Sequence, residues 1–222
     1  MRGKILKVTL AIVILGVGSL SVYRLFFLRM VRVPTGSMAN TIIPGDHLVV
    51  KKIVGTVERG NLILFKWPKD PSIQYVSRVV GLPGDTIEVR NRIVYIDGKE
   101  LQEKRVIVKP EDHNEAPGAL QELSSEGTGP YRVFYHSRDG SDASRIPADP
   151  EGSYGINGPF QIPDNQYFVM ADNRDNSLDS SFWGTVTREA IGGKPNMIYW
   201  SSKSDQSGNE HVRWERIFTK VR

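Results

Sequence analysis

An uncharged run of 16 residues, Val8 to Tyr23 (VTLAIVILGVGSLSVY), constrains this chain more than any other stretch. At the helical rise of roughly 1.5 Å per residue it spans only about 24 Å, short of a bilayer core of about 30 Å. Ile5 and Leu6 before it and Leu25 to Leu28 after it close the gap, with Lys7 and Arg24 snorkelling toward the two interfaces. The expectation is a cytoplasmic tip and one tilted membrane anchor over residues 1–30. A cleaved leader and a buried core helix compete with this reading. Arg2, Lys4 and Lys7 suit a leader's basic start, but Ser19 and Ser21 make a poor cleavage site, which favours the anchor. Arg24, Arg29 and Arg32 beyond the run blunt the orientation signal. The expected topology has the N-terminus in the cytoplasm and the domain outside.

After the anchor the periodicity changes. HLVVKKIVG, NLILFKWP, QYVSRVVGLPGD and TIEVRNRIVYIDGKEL carry Val, Ile, Leu and Tyr at period two, broken by Pro83-Gly84-Asp85 and Asp97-Gly98. Such alternation punctuated by turn residues predicts strands and hairpins, hence a mostly β domain. From about Glu103 to Phe160 the texture shifts to Pro, Gly, Ser, Glu and Asp around one strand-like run, Tyr131 to Tyr135. We read 103–160 as an inserted subdomain or long excursion between two halves of one β core, 31–102 and 161–222. Strand texture returns at Gln166 to Met170 and near Asn196 to Trp200.

The chain has no cysteine, which excludes disulfides, thiol catalysis and cysteine-based metal sites. No metal or other cofactor is expected. The net charge of +4 comes from scattered bases mixed with acids, several of them beside the anchor. An anionic membrane surface accounts for that balance, and nucleic-acid binding is not expected.

Ser37 lies in Pro34-Thr35-Gly36-Ser37-Met38. A serine beside a glycine is by itself usually a turn residue. Its company is more specific: Pro44-Gly45-Asp46 leading into a strand, then Arg78-Val79-Val80-Gly81-Leu82-Pro83-Gly84-Asp85, then Asp172-Asn173-Arg174-Asp175-Asn176-Ser177-Leu178-Asp179-Ser180 closed by Trp183-Gly184. These blocks, in this order behind an N-terminal span, resemble the signature boxes of bacterial type I signal peptidases, membrane-anchored serine peptidases with a Ser/Lys dyad. The resemblance covers about Arg32 to Gly193 apart from the excursion.

The resemblance implies a signal-peptidase-like β-sheet catalytic domain that cleaves N-terminal signal peptides from exported preproteins after small residues. It implies a single-pass location in the bacterial inner membrane, with the catalytic domain on the extracytoplasmic side. Signal peptides and the lipid bilayer would be its partners. Ser37 matches the family's nucleophile, and its backbone N–H and the Thr35 hydroxyl match the oxyanion donors that acyl transfer needs. Arg78, Asp172, Arg174, Ser177 and Asp179 match the surrounding shell. A turn-forming hydroxyl is the plain alternative for Thr35. For the last block it is a turn salt-bridged among Asp172, Arg174 and Asp175 and capped by Ser177.

One position departs from the pattern. The family places its general-base lysine directly before Arg78, where burial lowers the amine's pKa, and this chain has Ser77 there. A hydroxyl is far too weak a base to replace a neutral amine. Lys51, Lys52 and His47 are the nearest candidates in sequence, each more simply read as a solvated strand residue. Ala171 stands where the family has Gly, and Ser181 where it has Arg. Two alternatives to an active peptidase therefore stand: a silent homologue that binds signal peptides, and an anchored scaffold in which Ser37 does nothing. Nine steps separate Leu28 from Ser37, at most about 32 Å of extended chain, so the serine lies close to the bilayer if the anchor spans it.

Overall fold

The computed structural model describes residues 27–52, 55–90, 92–109, 119–137, 158–205 and 207–221, together with 9, 10, 12, 14–16 and 18 of the N-terminal run. The predicted anchor lies largely outside the described residues. Its described positions are helical, and Leu10, Ile12, Ile14 and Leu15 are 58–70% exposed. Among the described residues no helix is long and apolar enough to cross a membrane.

Among the described residues fifteen strands follow. They are β1 (Leu28–Arg32), β2 (Asp46–Lys51), β3 (Leu62–Trp67), β4 (Asp70–Gly81), β5 (Thr86–Arg90), β6 (Ile93–Ile96), β7 (Lys99–Glu100) and β8 (Lys104–Val108). Then come β9 (Glu122–Glu126), β10 (Arg132–His136), β11 (Phe160–Gln161), β12 (Gln166–Met170), β13 (Val186–Thr187), β14 (Ile191–Ser204) and β15 (Glu210–Val212). A one-turn helix, Ser180–Trp183, precedes β13. The domain is mostly β, as the alternation predicts.

Eight strands form the main sheet in the order β1-β2-β14-β3-β4-β12-β13, with β15 pairing on β14. Alternate residues divide between two buried layers. Leu62 and Leu64 of β3 join Met38, Ile42, Leu48, Val50 and Ala171, whereas Ile63 and Phe65 join Val79, Val169, Val186 and Ile191. Both faces of β3 are thus covered, which explains why Leu62 to Phe65 reads as an unbroken apolar run. A four-stranded sheet, β11-β5-β6-β7, closes a third cluster in which Ile87, Val89 and Val94 meet Val80, Phe168 and Met170. Its tight hairpin is the Asp97-Gly98 turn, where φ is 50° and 75°, the two positive angles a type I′ turn requires.

The excursion is more ordered than its composition implies. Its described part is a three-stranded sheet, β10-β8-β9, with β8 and β10 parallel and β8 and β9 antiparallel. Residues 110–118 and 138–157 lie outside the described residues. At the other end of the domain, β1 pairs with β2 from Leu28↔Lys51 to Arg32↔His47, so Leu28 to Met30 belong to the sheet and not to the helical run assigned to residues 1–30. The apolar texture continues across that junction, and pairing with β2 ends the helix.

β14 changes partner along its length. Ile191 and Gly193 pair with β3, and from Lys194 onward the strand pairs with β2, with register shifts between Ile191 and Gly193, between Pro195 and Met197, and between Ile198 and Trp200. At the switch a Cβ on Gly193 would sit 2.6 Å from both the Lys51 carbonyl oxygen and Val50 Cγ1. Gly193→Ala is expected to push β14 from β2 and cost about 1–3 kcal/mol, measured as a lowered urea midpoint.

Candidate active site

Ser37 opens a turn that its apolar neighbours pin to the core. Met38 and Ile42 are 1% exposed. The Ala39 N–H donates to the Gly36 carbonyl (3.0 Å) and the Ile42 N–H to the Met38 carbonyl (2.9 Å). Burying Met38 leaves Ser37 on the shoulder of the turn, half-buried. Its hydroxyl lies 3.3 Å from that of Thr35.

The block after β12 grips this turn from below. The Asn173 N–H donates to the Ser37 carbonyl (2.9 Å) and the Asn173 side-chain amide to the Gly36 carbonyl (3.1 Å). The Asp172 N–H points at Met38 Sδ (3.3 Å). Asp172 itself is fully buried and takes a bidentate pair from Arg78, Nε to Oδ1 at 2.7 Å and Nη2 to Oδ2 at 2.6 Å. The Thr41 hydroxyl donates to the same carboxylate, and Arg78 Nη1 donates to the Gly60 carbonyl (2.7 Å). The guanidinium also lies 4.3 Å above the centre of the Tyr131 ring. Burial works against the Arg78 charge, yet Asp172 outweighs it and the pKa is raised.

The charges of the block do not form the local turn that its sequence offered as an alternative. Asp172 pairs with Arg78, Arg174 with Glu103, and Asp175 with Arg92. Arg174 Nε also donates to the Ala171 carbonyl (3.0 Å), Nη1 to the Tyr135 hydroxyl (3.2 Å), and Tyr131 donates to Glu103 (3.0 Å). Burial, then Glu103, drive the Tyr131 pKa upward, so its proton stays in place. The partners in these three ion pairs all come from other segments, because a buried charge takes the partner that geometry presents.

The capping role offered for Ser177 belongs to Asp179. Its Oδ1 accepts from the Ser181 N–H (3.0 Å) and hydroxyl (2.6 Å), starting the helix Ser180–Trp183, and its Oδ2 accepts from the Ala171 N–H (3.0 Å). Ser177 donates to that Oδ2 at 3.4 Å. Burial pushes the Asp179 carboxyl above the ordinary aspartate range against the lowering effect of these donors. Ser181, where the resemblance leads one to expect Arg, supplies a neutral donor to it, and the Ala171 methyl packs in the core with Met38 and Leu62. Trp183 packs on Phe65, with ring centres 5.9 Å apart, while Phe182 is 43% exposed.

Ser77 is 6% exposed on β4, opposite Ile63 in the ladder. By strand alternation it shares the face of Tyr75 and Val79, and Arg78 takes the other. Among the described residues the Ser37 hydroxyl has one hydrogen-bond partner, Thr35, and none joins it to Ser77. Lys51 and Lys52 are exposed and His47 packs edge-on to Tyr199, 5.7 Å between ring centres. None of the three bonds to Ser37. Asn173, Glu103, Tyr131, Tyr135 and Arg92 are contributors that sequence reasoning did not single out. Asn173 stands inside the Asp172 to Ser180 block, whereas Tyr135 and Glu103 lie 39 and 71 residues from Arg174, in stretches without a signature. Among the described residues no group of three or more His, Asp or Glu side chains could hold a metal ion.

Asp172→Ala would strand the buried Arg78 charge and is expected to cost about 3–5 kcal/mol of stability in urea unfolding, much of it recovered in the double variant with Arg78→Met. For Asp179 the sign is opposite to the usual acid. Its raised folded pKa means the native state holds the proton more tightly, so its contribution is full below the unfolded aspartate pKa and is lost as pH rises through the folded value. The stability difference between the parent and Asp179→Asn should therefore shrink as pH is raised from about 4, followed by denaturant midpoints at successive pH values.

A sequence profile described as "Signal peptidase, peptidase S26" matches residues 4–200. The chain is 35% identical over 202 residues to signal peptidase I of Aquifex aeolicus, covering 77% of this chain and 75% of that protein. It is 32% identical over 206 residues to signal peptidase I of Pseudomonas fluorescens (81% and 67% covered) and 30% identical over 194 residues to that of Pseudomonas aeruginosa (78% and 62% covered). The profile spans most of the chain and includes Ser37, Arg78 and the Asp172 to Ser180 block. The chain thus belongs to the signal peptidase family, peptidase S26, and is a serine endopeptidase of the signal peptidase I type.

Proposed function

We propose that this chain cleaves signal peptides from exported preproteins after small residues, from a single-pass anchor in the bacterial inner membrane, with Ser37 as nucleophile. The observation that carries the reading is the grip of the Asp172-Asn173 block on the Ser37 turn, with the Thr35 hydroxyl 3.3 Å from Ser37 Oγ. On this reading residues 1–30 are the tip and anchor, except that Leu28 to Met30 already pair in β1, 31–102 with 161–222 are the catalytic core, and 103–160 is the insertion. The exposed apolar helix positions Leu10, Ile12, Ile14 and Leu15 support the anchor, since their side chains are not covered by the domain. Arg78, Asp172, Arg174, Ser177 and Asp179 hold the site together.

In the reaction Ser37 Oγ attacks the scissile carbonyl, and the Thr35 hydroxyl and Ser37 N–H receive the developing oxyanion. The serine's proton must pass through a base to the departing amine, and water then hydrolyses the ester. Ser77 cannot take that proton. A lysine there would stand at a position 6% exposed, among Ile63, Tyr75 and Val79, where desolvation lowers an amine's pKa. A second reading, a homologue that binds signal peptides and cuts them slowly or not at all, rests on Ser77 alone.

Cleavage of a preprotein by the protein as it stands, by Ser37→Ala and by Ser77→Lys decides between them. The active reading expects turnover that Ser37→Ala abolishes, and a rise on the order of 10² to 10⁴ in Ser77→Lys. Turnover confined to Ser77→Lys establishes the silent reading, an assembled site lacking its base. Cleavage unaffected by Ser37→Ala would overturn both.

A further inference from the structure

We infer that His136 positions Ser37 through the side-chain amide of Asn173, and that this relay is what the excursion contributes to the site. The inference rests on the reading of Ser37 as nucleophile. β10 does not simply end beside the block. Phe134 and Asn173 form a parallel bridge, with the Phe134 N–H donating to the Asp172 carbonyl (2.7 Å) and the Arg174 N–H to the Phe134 carbonyl (2.9 Å). Two residues on, His136 Nε2 lies 3.0 Å from Asn173 Oδ1. The other end of that amide, Nδ2, donates to the Gly36 carbonyl (3.1 Å), and the Asn173 main-chain N–H holds the Ser37 carbonyl (2.9 Å).

The chemistry fixes the direction of the relay. Asn173 is fully buried, and its amide must present NH₂ to Gly36, since the flipped amide would set two acceptor oxygens against each other. Oδ1 is then the end facing His136, and it only accepts, so the imidazole must carry a proton on Nε2. His136 thereby selects the amide orientation that ties down the Gly36 carbonyl, next to the Ser37 carbonyl that the Asn173 main-chain N–H holds. The excursion holds the far side of the same turn as well: Asn40 Nδ2 donates to the Leu120 carbonyl (3.1 Å) and Asn40 Oδ1 accepts from the Leu120 N–H (2.6 Å).

The backbone of His136 is secured separately, its N–H donating to Asp175 Oδ2 (2.7 Å), so side-chain variants should leave β10 docked. His136→Leu removes the donor, while His136→Gln keeps an N–H in reach. Both are made in the protein as it stands and in the Ser77→Lys background, and preprotein cleavage is measured in whichever turns over. The expected result is a kcat lowered about tenfold in His136→Leu with KM within about twofold, and recovery to within about threefold of the parent in His136→Gln, as for a misplaced catalytic group. Hydrogen exchange at the Asn173 main-chain N–H should be at least about tenfold faster in His136→Leu and return toward the parent in His136→Gln. Unchanged exchange in His136→Leu, or Gln no better than Leu, overturns the relay. If neither background cleaves, the reading of Ser37 fails by itself and the exchange rates still decide the relay.

Discussion

The bidentate pair between Arg78 and Asp172 is the interaction on which the rest of the site depends. Both side chains are almost wholly buried, and a buried ion pair is tolerable only when its remaining hydrogen-bonding capacity is also met. Here the completing partners come from separate parts of the chain: the Gly60 carbonyl, the Thr41 hydroxyl and the face of Tyr131. Satisfying one pair of charges therefore fixes β4, the block after β12, the turn that carries Ser37 and the excursion in one arrangement. The pair is a joint first and a local source of electrostatic field second.

That joint explains why the Ser37 turn can be both exposed enough to meet a peptide and rigid enough to direct a hydroxyl. Met38 is sunk in the core below it, Asn173 holds its carbonyls, and the inserted sheet grips it on two sides through His136 and Asn40. None of these contacts consumes the Ser37 hydroxyl, which faces Thr35. The excursion, which by composition alone looks like a loose insertion, is tied to the site through Glu103, Leu120 and His136.

Burial disfavours the ionised form of Asp179, against donors that are two serine hydroxyls, of Ser181 and Ser177, and two main-chain N–H groups. Ser77 supplies no cation on the neighbouring strand. The fold depends on Arg78, Asp172 and the caps, none of which needs a base beside Ser37, so the architecture stands whether or not one is present.

Much of this was legible in the chain itself. Alternation located β2 to β6, β10 and β12, because a strand with a buried face writes its period into the sequence. The ordered blocks around Ser37, Arg78 and Asp172 to Ser180 sufficed for the family. β1 was hidden because its apolar residues continue the N-terminal run, and β8 and β9 because KRVIV and ELSSE are short and mixed with polar residues. What only the tertiary structure decided is which charge meets which and how the excursion docks. Arg174 lies beside Asp175 in sequence yet pairs with Glu103, 71 residues away, and Asp172 pairs with Arg78 across 94. Local spacing records the period of an element and the identity of a reactive group. The partner of a buried charge is set by the packing of whole sheets, and no short stretch of sequence carries that information.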